Sequence, residues 1–164
     1  MLTAGRLRQV VDYDPLTGCF TWRKRTSNRI RIGDVAGHVR KSDGRRLIGI
    51  DGELVFAARL AVLFMTGAMP SDQVDHRNCR PDDDRWANLR VAKAWQNRGN
   101  TRRRADNTSG AKGVVWDNEK QKWRAQIRIH GCNKVLGRYA TVAEAHSVYS
   151  EAALKHFGEF ARLA

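Results

Sequence analysis

Apolar positions in the first 70 residues predict a short helix, several strands and a second helix. Four apolar residues at helical spacing form the first stripe, which ends before Asp14-Pro15: Leu2, Leu7, Val10 and Val11. Alternation predicts strands at Cys19–Trp22 and Arg46–Ile50, and Asp51-Gly52 is typical of a hairpin turn. From Val55 to Met65 the pattern indicates a helix that Gly67 and Pro70 terminate.

The last 55 residues show a period of two followed by a helical pattern. In Lys122–Ile129, the residues Trp123, Ala125, Ile127 and Ile129 lie on one side and the polar residues on the other. Further strands are predicted at Gly113–Trp116 and Asn133–Tyr139. Thr141 opens a helix with Glu144 completing a capping box, and Gly158 stands where a C-terminal cap falls. These elements predict a three-stranded antiparallel sheet packed on one helix.

A chain of 164 residues has room for two or three small modules. The fold class that the elements predict is α+β. The expected segments are a β-rich N-terminal module at 1–55, a central core at 56–100, a polar linker at 101–109 and a C-terminal module at 110–164.

The charge of the chain is high and unevenly distributed. Its net charge is +13, with +6 in residues 1–70, zero in 71–97, +8 in 98–138 and −1 in 139–164. Two basic blocks therefore flank a neutral segment. Because clustered positive charge attracts phosphates and releases their counterions, this distribution favours a nucleic-acid partner over a generally basic surface.

Cysteine usage and hydropathy exclude several classes of protein. Cys19, Cys79 and Cys132 are far apart and form no CxxC pair, which argues against a disulfide framework and a structural zinc site. The N-terminus lacks the apolar run of a signal peptide, and Arg59 interrupts the apolar stretch Leu54–Met65. We expect a cytoplasmic protein that is associated with DNA and not with a membrane.

The neutral segment holds the residues best suited to chemistry. Asp75 and His76 are adjacent at the end of an expected strand, so their side chains can serve different tasks, one at a metal and one at a water molecule. A carboxylate and the amide of Asn97 suit a hard cation such as Mg²⁺. A neutral histidine can act as a general base at physiological pH. An isolated Asp-His pair is more often a surface feature, so the ordered combination carries the argument.

That ordered combination resembles the HNH endonuclease family, in the subgroup of phage and intron-encoded homing endonucleases. The matching residues run from an apolar helix through a Gly…Pro turn to a polar helix: Arg59-Leu60-Ala61, Gly67, Pro70, Val74-Asp75-His76, Asn88-Leu89-Arg90 and Gln96-Asn97-Arg98-Gly99-Asn100. The resemblance implies a ββα-metal core, with a hairpin that bears Asp75, His76 and Asn88 and a helix that bears Asn97.

The resemblance also implies roles for these residues. His76 would be the general base, Asp75 and Asn97 the ligands of one Mg²⁺ or Mn²⁺, and Asn88 the asparagine that ties the loop between the strands. Asn100 would assist at the helix end. The chain departs from the family at Ala58, where a histidine is common, and in the loop 77–87. Its three acidic residues are either additional ligands or, as we favour, a loop cap and an ion pair with Arg85: Asp82, Asp83 and Asp84.

A second resemblance, to the AP2 DNA-binding domain, covers Ser109 to Leu163. It rests on Gly113-Val114, Trp116, Lys122-Trp123-Arg124-Ala125, Leu136-Gly137, Glu144-Ala145 and Phe157-Gly158-Glu159-Phe160-Ala161, among others. It implies that the polar face of the sheet lies in the major groove of duplex DNA. The expected DNA-binding residues are Arg98, Arg102, Arg103, Arg104, Lys112, Trp116, Lys122, Arg124, Gln126, Arg128, Lys134 and Arg138.

Three of these assignments have structural alternatives. Trp116 packs either against the DNA backbone or in the core. The arginines of 101–109 lie along phosphates or simply solvate a connector. The N-terminal module, with Tyr13-Asp14-Pro15-x-Thr17-Gly18-x-Phe20-x-Trp22, resembles a module that often precedes HNH domains, and it contacts the DNA backbone or serves as a structural wrapper.

The function that the sequence favours is site-directed hydrolysis of duplex DNA by a monomer that nicks one strand, or by a dimer that cuts both. The main alternative is a catalytically silent, sequence-specific DNA-binding regulator on a nuclease scaffold. A third is an RNA-processing nuclease, which is disfavoured because the sheet presents Arg and Gln and not stacking aromatic residues.

Overall fold

The computed structural model describes residues 2–163, and the chain divides into two compact units, 1–91 and 92–164. The module boundary expected at residue 55 has no counterpart in this division. The reason is a shared core: Leu7 and Phe20 of the N-terminal segment belong to the same buried cluster as Leu60 and Leu89. The segment 101–109 falls within the second unit.

The helices and strands of the first unit are short. In chain order they are α1 (Ala4–Val10), β1 (Val11–Tyr13), β2 (Phe20–Trp22), β3 (His38–Val39), β4 (Arg46–Ile50), β5 (Glu53–Phe56), α2 (Ala57–Thr66), β6 (Gln73–His76) and β7 (Leu89–Ala92), whose last residue belongs to the second unit. Two residues of the expected helical stripe lie outside α1, because Leu2 precedes the N-cap Thr3 and Val11 has extended backbone and pairs with Trp22.

Three small sheets build this unit. β1 pairs with β2, β3–β4–β5 form an antiparallel sheet, and β6 pairs with β7. The predicted turn between β4 and β5 has positive φ at Asp51 (51°) and Gly52 (84°), as a two-residue hairpin requires. α2 buries most of its apolar side chains and ends at Gly67, whose φ of 84° is left-handed. The core thus lies between α1, α2 and the first five strands.

The second unit combines α3 (Ala94–Gly99), β8 (Val114–Asp117), β9 (Lys122–Ile129), β10 (Cys132–Tyr139) and α4 (Val142–Phe157). The strands form an antiparallel sheet in the order β10–β9–β8. The expected alternation in β9 is observed, since Ala125, Ile127 and Ile129 are buried and the intervening side chains are more exposed. α4 begins at the predicted capping box of Thr141 and Glu144.

The core of this unit lies between the sheet and α4. Ile127 and Ile129 of β9 pack with Tyr149 and Phe157 of α4. Gly113 has a φ of 77°, and a Cβ there would lie 2.0 Å from the Tyr149 ring, so a glycine is required for this approach. Burial raises the pKa of Tyr149 to about 12.

No helix within residues 2–163 is sufficiently long and apolar to cross a membrane.

Candidate active site

Asp75 and His76 end β6 and are both buried, although they are polar. Their exposed fractions are 5% and 9%, whereas Gln73 at the start of the strand is exposed. Burying a carboxylate and an imidazole is costly unless each has polar partners. The partners of these two side chains therefore define what the site can do.

The ring of His76 contacts the carboxylate of Asp84. Nε2 of His76 lies 2.9 Å from Oδ1 of Asp84, and both side chains are buried, with 10% and 4% exposed. An ionised carboxylate only accepts hydrogen bonds, so this contact assigns the ring proton to Nε2. In the neutral imidazole, Nδ1 is then the atom with a lone pair that can take a proton.

Asp75 forms a buried ion pair with Arg90 of β7. Nε of Arg90 donates to Oδ2 of Asp75 at 2.9 Å, and the exposed fractions of the two side chains are 8% and 5%. The arginine compensates the charge of a carboxylate that would otherwise be costly to bury. The residue expected to bind a metal is thus held by a cation from the neighbouring strand.

Asn88 joins the two ends of the loop between β6 and β7. Its Oδ1 accepts from the backbone N–H of Asn78 at 3.0 Å, and its Nδ2 donates to Oδ1 of Asn78 at 3.0 Å and to the carbonyl of Asp83 at 2.7 Å. The backbone of Arg77 also donates to the Asn88 carbonyl at 2.9 Å. Asn88 closes the loop through hydrogen bonds to its backbone and side chains.

The three acidic residues of the loop have separate partners. Asp83 pairs with Arg85 at 2.6 Å and accepts from Asn78 at 2.7 Å, and the Arg85 guanidinium holds the pKa of Asp83 well below its usual range. The loop cap and the Arg85 ion pair that we favoured are thus both found, at Asp83. Asp82 is exposed and lies 3.5 Å from Arg80. Asp84 was not expected to contact His76.

The proposed metal ligands lie in different parts of the chain, Asp75 in β6 of the first unit and Asn97 in α3 of the second. Asn100 caps α3 and is buried. A carboxylate with an amide is a donor set that suits Mg²⁺ or Mn²⁺, so these two residues fit a hard cation by their chemistry. Within residues 2–163, no cluster of three or more His, Cys, Asp or Glu side chains is arranged to hold a metal.

The buried Asp-His pair, the closing asparagine and α3 fall in one stretch of sequence that has known relatives. Residues 55–98 match the model of the HNH endonuclease family. We call this stretch the HNH segment. It contains Asp75, His76, Asn88 and Asn97.

One curated relative of this chain is Protein 3.8 of Escherichia phage T7. The two are 36% identical over 58 residues, a stretch that covers 35% of this chain and 48% of the phage protein. The chain thus matches about half the length of that relative. No solved structure matches the chain significantly. The HNH segment supports a nuclease, whereas the AP2-like character of the second unit stays a prediction.

The outer face of the sheet in the second unit carries five of the expected DNA-binding residues: Lys122, Arg124, Gln126, Arg128 and Arg138. Asp117 of β8 lies among them, and its Oδ2 accepts from Nε of Arg138 at 2.7 Å and lies 3.7 Å from Nη1 of Arg124. Arg138 holds the pKa of Asp117 below its usual range. Nε of Arg124 is buried, and within residues 2–163 it has no acceptor in hydrogen-bond distance.

Two further expected DNA-binding residues, Lys112 and Lys134, do not lie on this outer face. Lys112 donates to the carbonyls of Gly99, Thr101 and Arg162 at 2.6–3.0 Å, so its ammonium group holds the chain together. Lys134 is opposite Ile127 and therefore belongs to the face that α4 covers.

Trp116 is on that same inner face, opposite Trp123. Its ring contacts the Trp123 ring edge-on at 4.9 Å, and 38% of the residue remains exposed. The two alternatives for Trp116, packing against the DNA backbone or in the core, both stay predictions.

The arginines of α3 and of the segment 101–109 line a cleft of about 300 Å³ within the second unit. Arg98, Arg102, Arg103 and Arg104 are all exposed. Arg104 is paired with Asp106 at 2.7 Å. At the end of the segment, Asn107 and Ser109 hydrogen-bond to the carbonyls of Ala111 and Val114.

Sequence reasoning missed Asp84 as the partner of His76, Arg90 as the partner of Asp75, and Asp117 within the basic face. Arg90 offered a signal, because it follows Asn88-Leu89 at the expected second strand of the hairpin. Asp84 offered none beyond its charge, since three consecutive aspartates look equivalent in sequence.

Proposed function

We propose that this chain is a metal-dependent HNH endonuclease that hydrolyses phosphodiester bonds of duplex DNA. The observation that carries the proposal is the buried His76 at the end of β6, whose Nε2 lies 2.9 Å from a buried carboxylate inside the HNH segment. A buried imidazole with one nitrogen fixed by a carboxylate is the arrangement of a positioned general base.

In the proposed reaction, Nδ1 of His76 takes a proton from the water molecule that attacks the phosphorus atom. The imidazolium that forms is stabilised by Asp84, which faces the opposite nitrogen. Asp75 and Asn97 would hold one Mg²⁺ or Mn²⁺, which when bound stabilises negative charge on the phosphoryl group and the leaving oxygen. Arg90 keeps the carboxylate of Asp75 oriented. One such site cleaves one strand, so a monomer nicks and a dimer cuts both strands.

The second unit would hold the DNA. Its outer sheet face combines arginine, lysine and glutamine, which bond to base edges and phosphates. Asp117 orients Arg124 and Arg138 on this face. The AP2-like mode of binding, a homing-type target and a cytoplasmic location in a bacterial host belong to this proposal.

The test is DNA cleavage by the purified chain. Supercoiled plasmid and bacterial genomic DNA are incubated with Mg²⁺ or Mn²⁺, and nicks are scored on gels. We expect His76→Ala to lower the single-turnover rate at least about 10²-fold, because it removes the base. His156→Ala, an exposed histidine on α4, is the matched control and leaves the rate unchanged. If His76→Ala cleaves DNA at the wild-type rate, the assignment of His76 as the general base is wrong.

A second candidate is a DNA-binding regulator without nuclease activity. The specific observation in its favour is the Asp75–Arg90 ion pair, because a carboxylate that already neutralises an arginine attracts a cation less strongly. Tight sequence-specific binding without cleavage in Mg²⁺, Mn²⁺, Co²⁺ and Ni²⁺ would support this alternative. An excess of RNA that competes equally with duplex DNA would instead support an RNA-processing nuclease.

A further inference from the structure

The turn between β1 and β2 packs directly on the backbone beside Asp84. The hydroxyl of Tyr13 donates to the Asp84 carbonyl at 2.7 Å in a buried hydrogen bond between residues 71 positions apart. The backbone N–H of Trp86 donates to the carbonyl of Pro15 at 3.0 Å. The β1–β2 turn therefore hydrogen-bonds to the residues on both sides of Arg85, namely Asp84 and Trp86.

The turn itself is held together by hydrogen bonds of Asp14. The carboxylate of Asp14 accepts from the Leu16 N–H at 2.8 Å and from the Thr17 hydroxyl at 2.7 Å, and the Gly18 N–H donates to the Asp14 carbonyl at 2.8 Å. Such bonds are typical of an Asx turn, in which the aspartate side chain substitutes for a backbone acceptor.

Gly18 makes the close approach possible. Its φ is 77°, and a Cβ at this position would lie 2.4 Å from the Arg85 nitrogen and 2.5 Å from the Asp84 carbonyl carbon. Both atoms are backbone, so a side chain could be accommodated only by moving the segment that carries Asp84.

Asp84 is thus held through its backbone carbonyl and through its carboxylate. Its carbonyl is bound by Tyr13, and its carboxylate faces Nε2 of His76 at 2.9 Å. Because both residues are buried, a shift of the Asp84 backbone has to move the carboxylate relative to the imidazole. Tyr13 is itself held in the core by the Phe20 and Phe64 rings, at 4.6 and 5.8 Å between centroids.

We propose that Tyr13, Gly18 and Asp84 form a positioning relay, in which the N-terminal β1–β2 turn sets the place of the Asp84 carboxylate and thereby the tautomer and orientation of the His76 ring. All three residues are buried, so we assign them a positioning role. The relay gives the N-terminal segment a role in the active site through Asp84. The effect of this relay on catalysis rests on the proposed nuclease function. Its effect on the orientation of the His76 ring does not depend on that function.

The first test is the ¹⁵N NMR spectrum of the full-length protein with labelled histidine, where His76→Ala identifies the His76 signals. We expect the Nε2–H tautomer in the wild type, a mixture of tautomers in Asp84→Ala, and a partial shift toward that mixture in Tyr13→Phe. Ile48→Val is the control, because it trims the same core without touching the turn or Asp84. His76 signals that stay unchanged in both Asp84→Ala and Tyr13→Phe would overturn the relay.

The second test is single-turnover cleavage of the plasmid with Mg²⁺ or Mn²⁺. Loss of a group that orients a reacting residue typically lowers activity about 10–100-fold. We expect a loss of this order in Asp84→Ala and a smaller one in Tyr13→Phe, in the single-turnover rate constant at saturating enzyme, with the half-saturating enzyme concentration unchanged. Asp84→Asn keeps the shape of the side chain but removes the charge that stabilises the imidazolium, so we expect it to lower the rate as well. A loss in Ile48→Val equal to that in Tyr13→Phe would mean a merely structural role and overturn the relay.

The two proposals fail in different ways. A wild-type protein that cleaves no DNA contradicts the nuclease, and the NMR experiment still decides whether the turn orients His76. A wild-type protein that cleaves DNA, with the same His76 tautomer and rate in Tyr13→Phe and Asp84→Ala, keeps the nuclease and eliminates the relay.

Discussion

The buried amide of Asn88 holds the loop between β6 and β7 through its hydrogen bonds. Its side chain uses its oxygen and its nitrogen in three hydrogen bonds, to the backbone and side chain of Asn78 and to the carbonyl of Asp83. If the Asn88 amide is removed, its buried partners lose their hydrogen bonds and have no water to replace them. This loss costs more free energy than an average hydrogen bond contributes to stability. The loop between β6 and β7 depends on this residue.

We therefore expect Asn88→Ala to lower the free energy of unfolding by about 1–3 kcal/mol, since a buried donor and a buried acceptor lose their partner. Urea unfolding followed by circular dichroism measures the change. Asn118→Ala removes the same amide from an exposed turn and should change stability by less than about 0.5 kcal/mol. Equal stability of the Asn88→Ala and wild-type proteins would contradict the role of the amide.

At the scale of elements, the loop 77–87 is held by charge as well as by hydrogen bonds. The Arg85 guanidinium bonds to Asp83, and Asn78 donates to the same carboxylate. These contacts favour the ionised form and lower the pKa of Asp83. A carboxyl whose pKa is lower in the folded state stabilises the fold above its unfolded pKa of about 3.9, and this contribution is lost as pH falls further.

The loop should consequently be sensitive to acid. We expect the melting temperature to fall as pH drops from about 5 to about 2.5, and the fall to be smaller in Asp83→Asn, which has no proton to bind. Asp82→Asn, an exposed neighbour whose Arg80 contact is 3.5 Å, should retain the wild-type acid dependence. Calorimetry across this pH range measures the melting temperature of each protein. The same dependence of melting temperature on pH in Asp83→Asn and the wild type would refute the prediction.

At the scale of the whole molecule, net charge and its distribution determine the expected partner. The excess of +8 in residues 98–138 covers the end of α3, the segment 101–109 and nearly all of the sheet of the second unit. The inner face of that sheet is apolar and covered by α4, so the cations of β9 lie on the other face. Phosphate binding by such a face should release counterions and weaken with salt.

We expect the logarithm of the DNA binding constant to fall linearly with the logarithm of the salt concentration. Arg128→Gln, on the outer face, should reduce the slope by about 1, because each lost phosphate contact releases about one counterion fewer. Lys155→Gln removes the same charge from exposed α4 and should leave the slope unchanged. Fluorescence anisotropy at several salt concentrations measures both, and equal slopes for the two variants would contradict a role of this sheet face.

The sequence alone determined the elements whose signals are local. The period of two in β9, the capping box at Thr141 and Glu144, and the Asp51-Gly52 turn each depend on residues within a few positions, and all three are observed. The ordered Asp75, His76, Asn88 and Asn97 pointed to HNH endonucleases, and the HNH segment matches that family. Local patterns suffice because backbone geometry and hydrogen bonding act over short stretches of chain.

Only the tertiary structure decided which polar groups are partners. Nothing in the sequence distinguishes Asp84 from Asp82 and Asp83, yet Asp84 is the one that is buried against His76. Its position depends on Tyr13, which is 71 residues away, and on the close approach of Gly18. The sequence likewise does not show that the Lys112 ammonium donates to the carbonyl of Arg162, which is 50 residues away. Such pairings are decided by burial and long-range packing, which compensate each buried charge with whatever group the fold brings close.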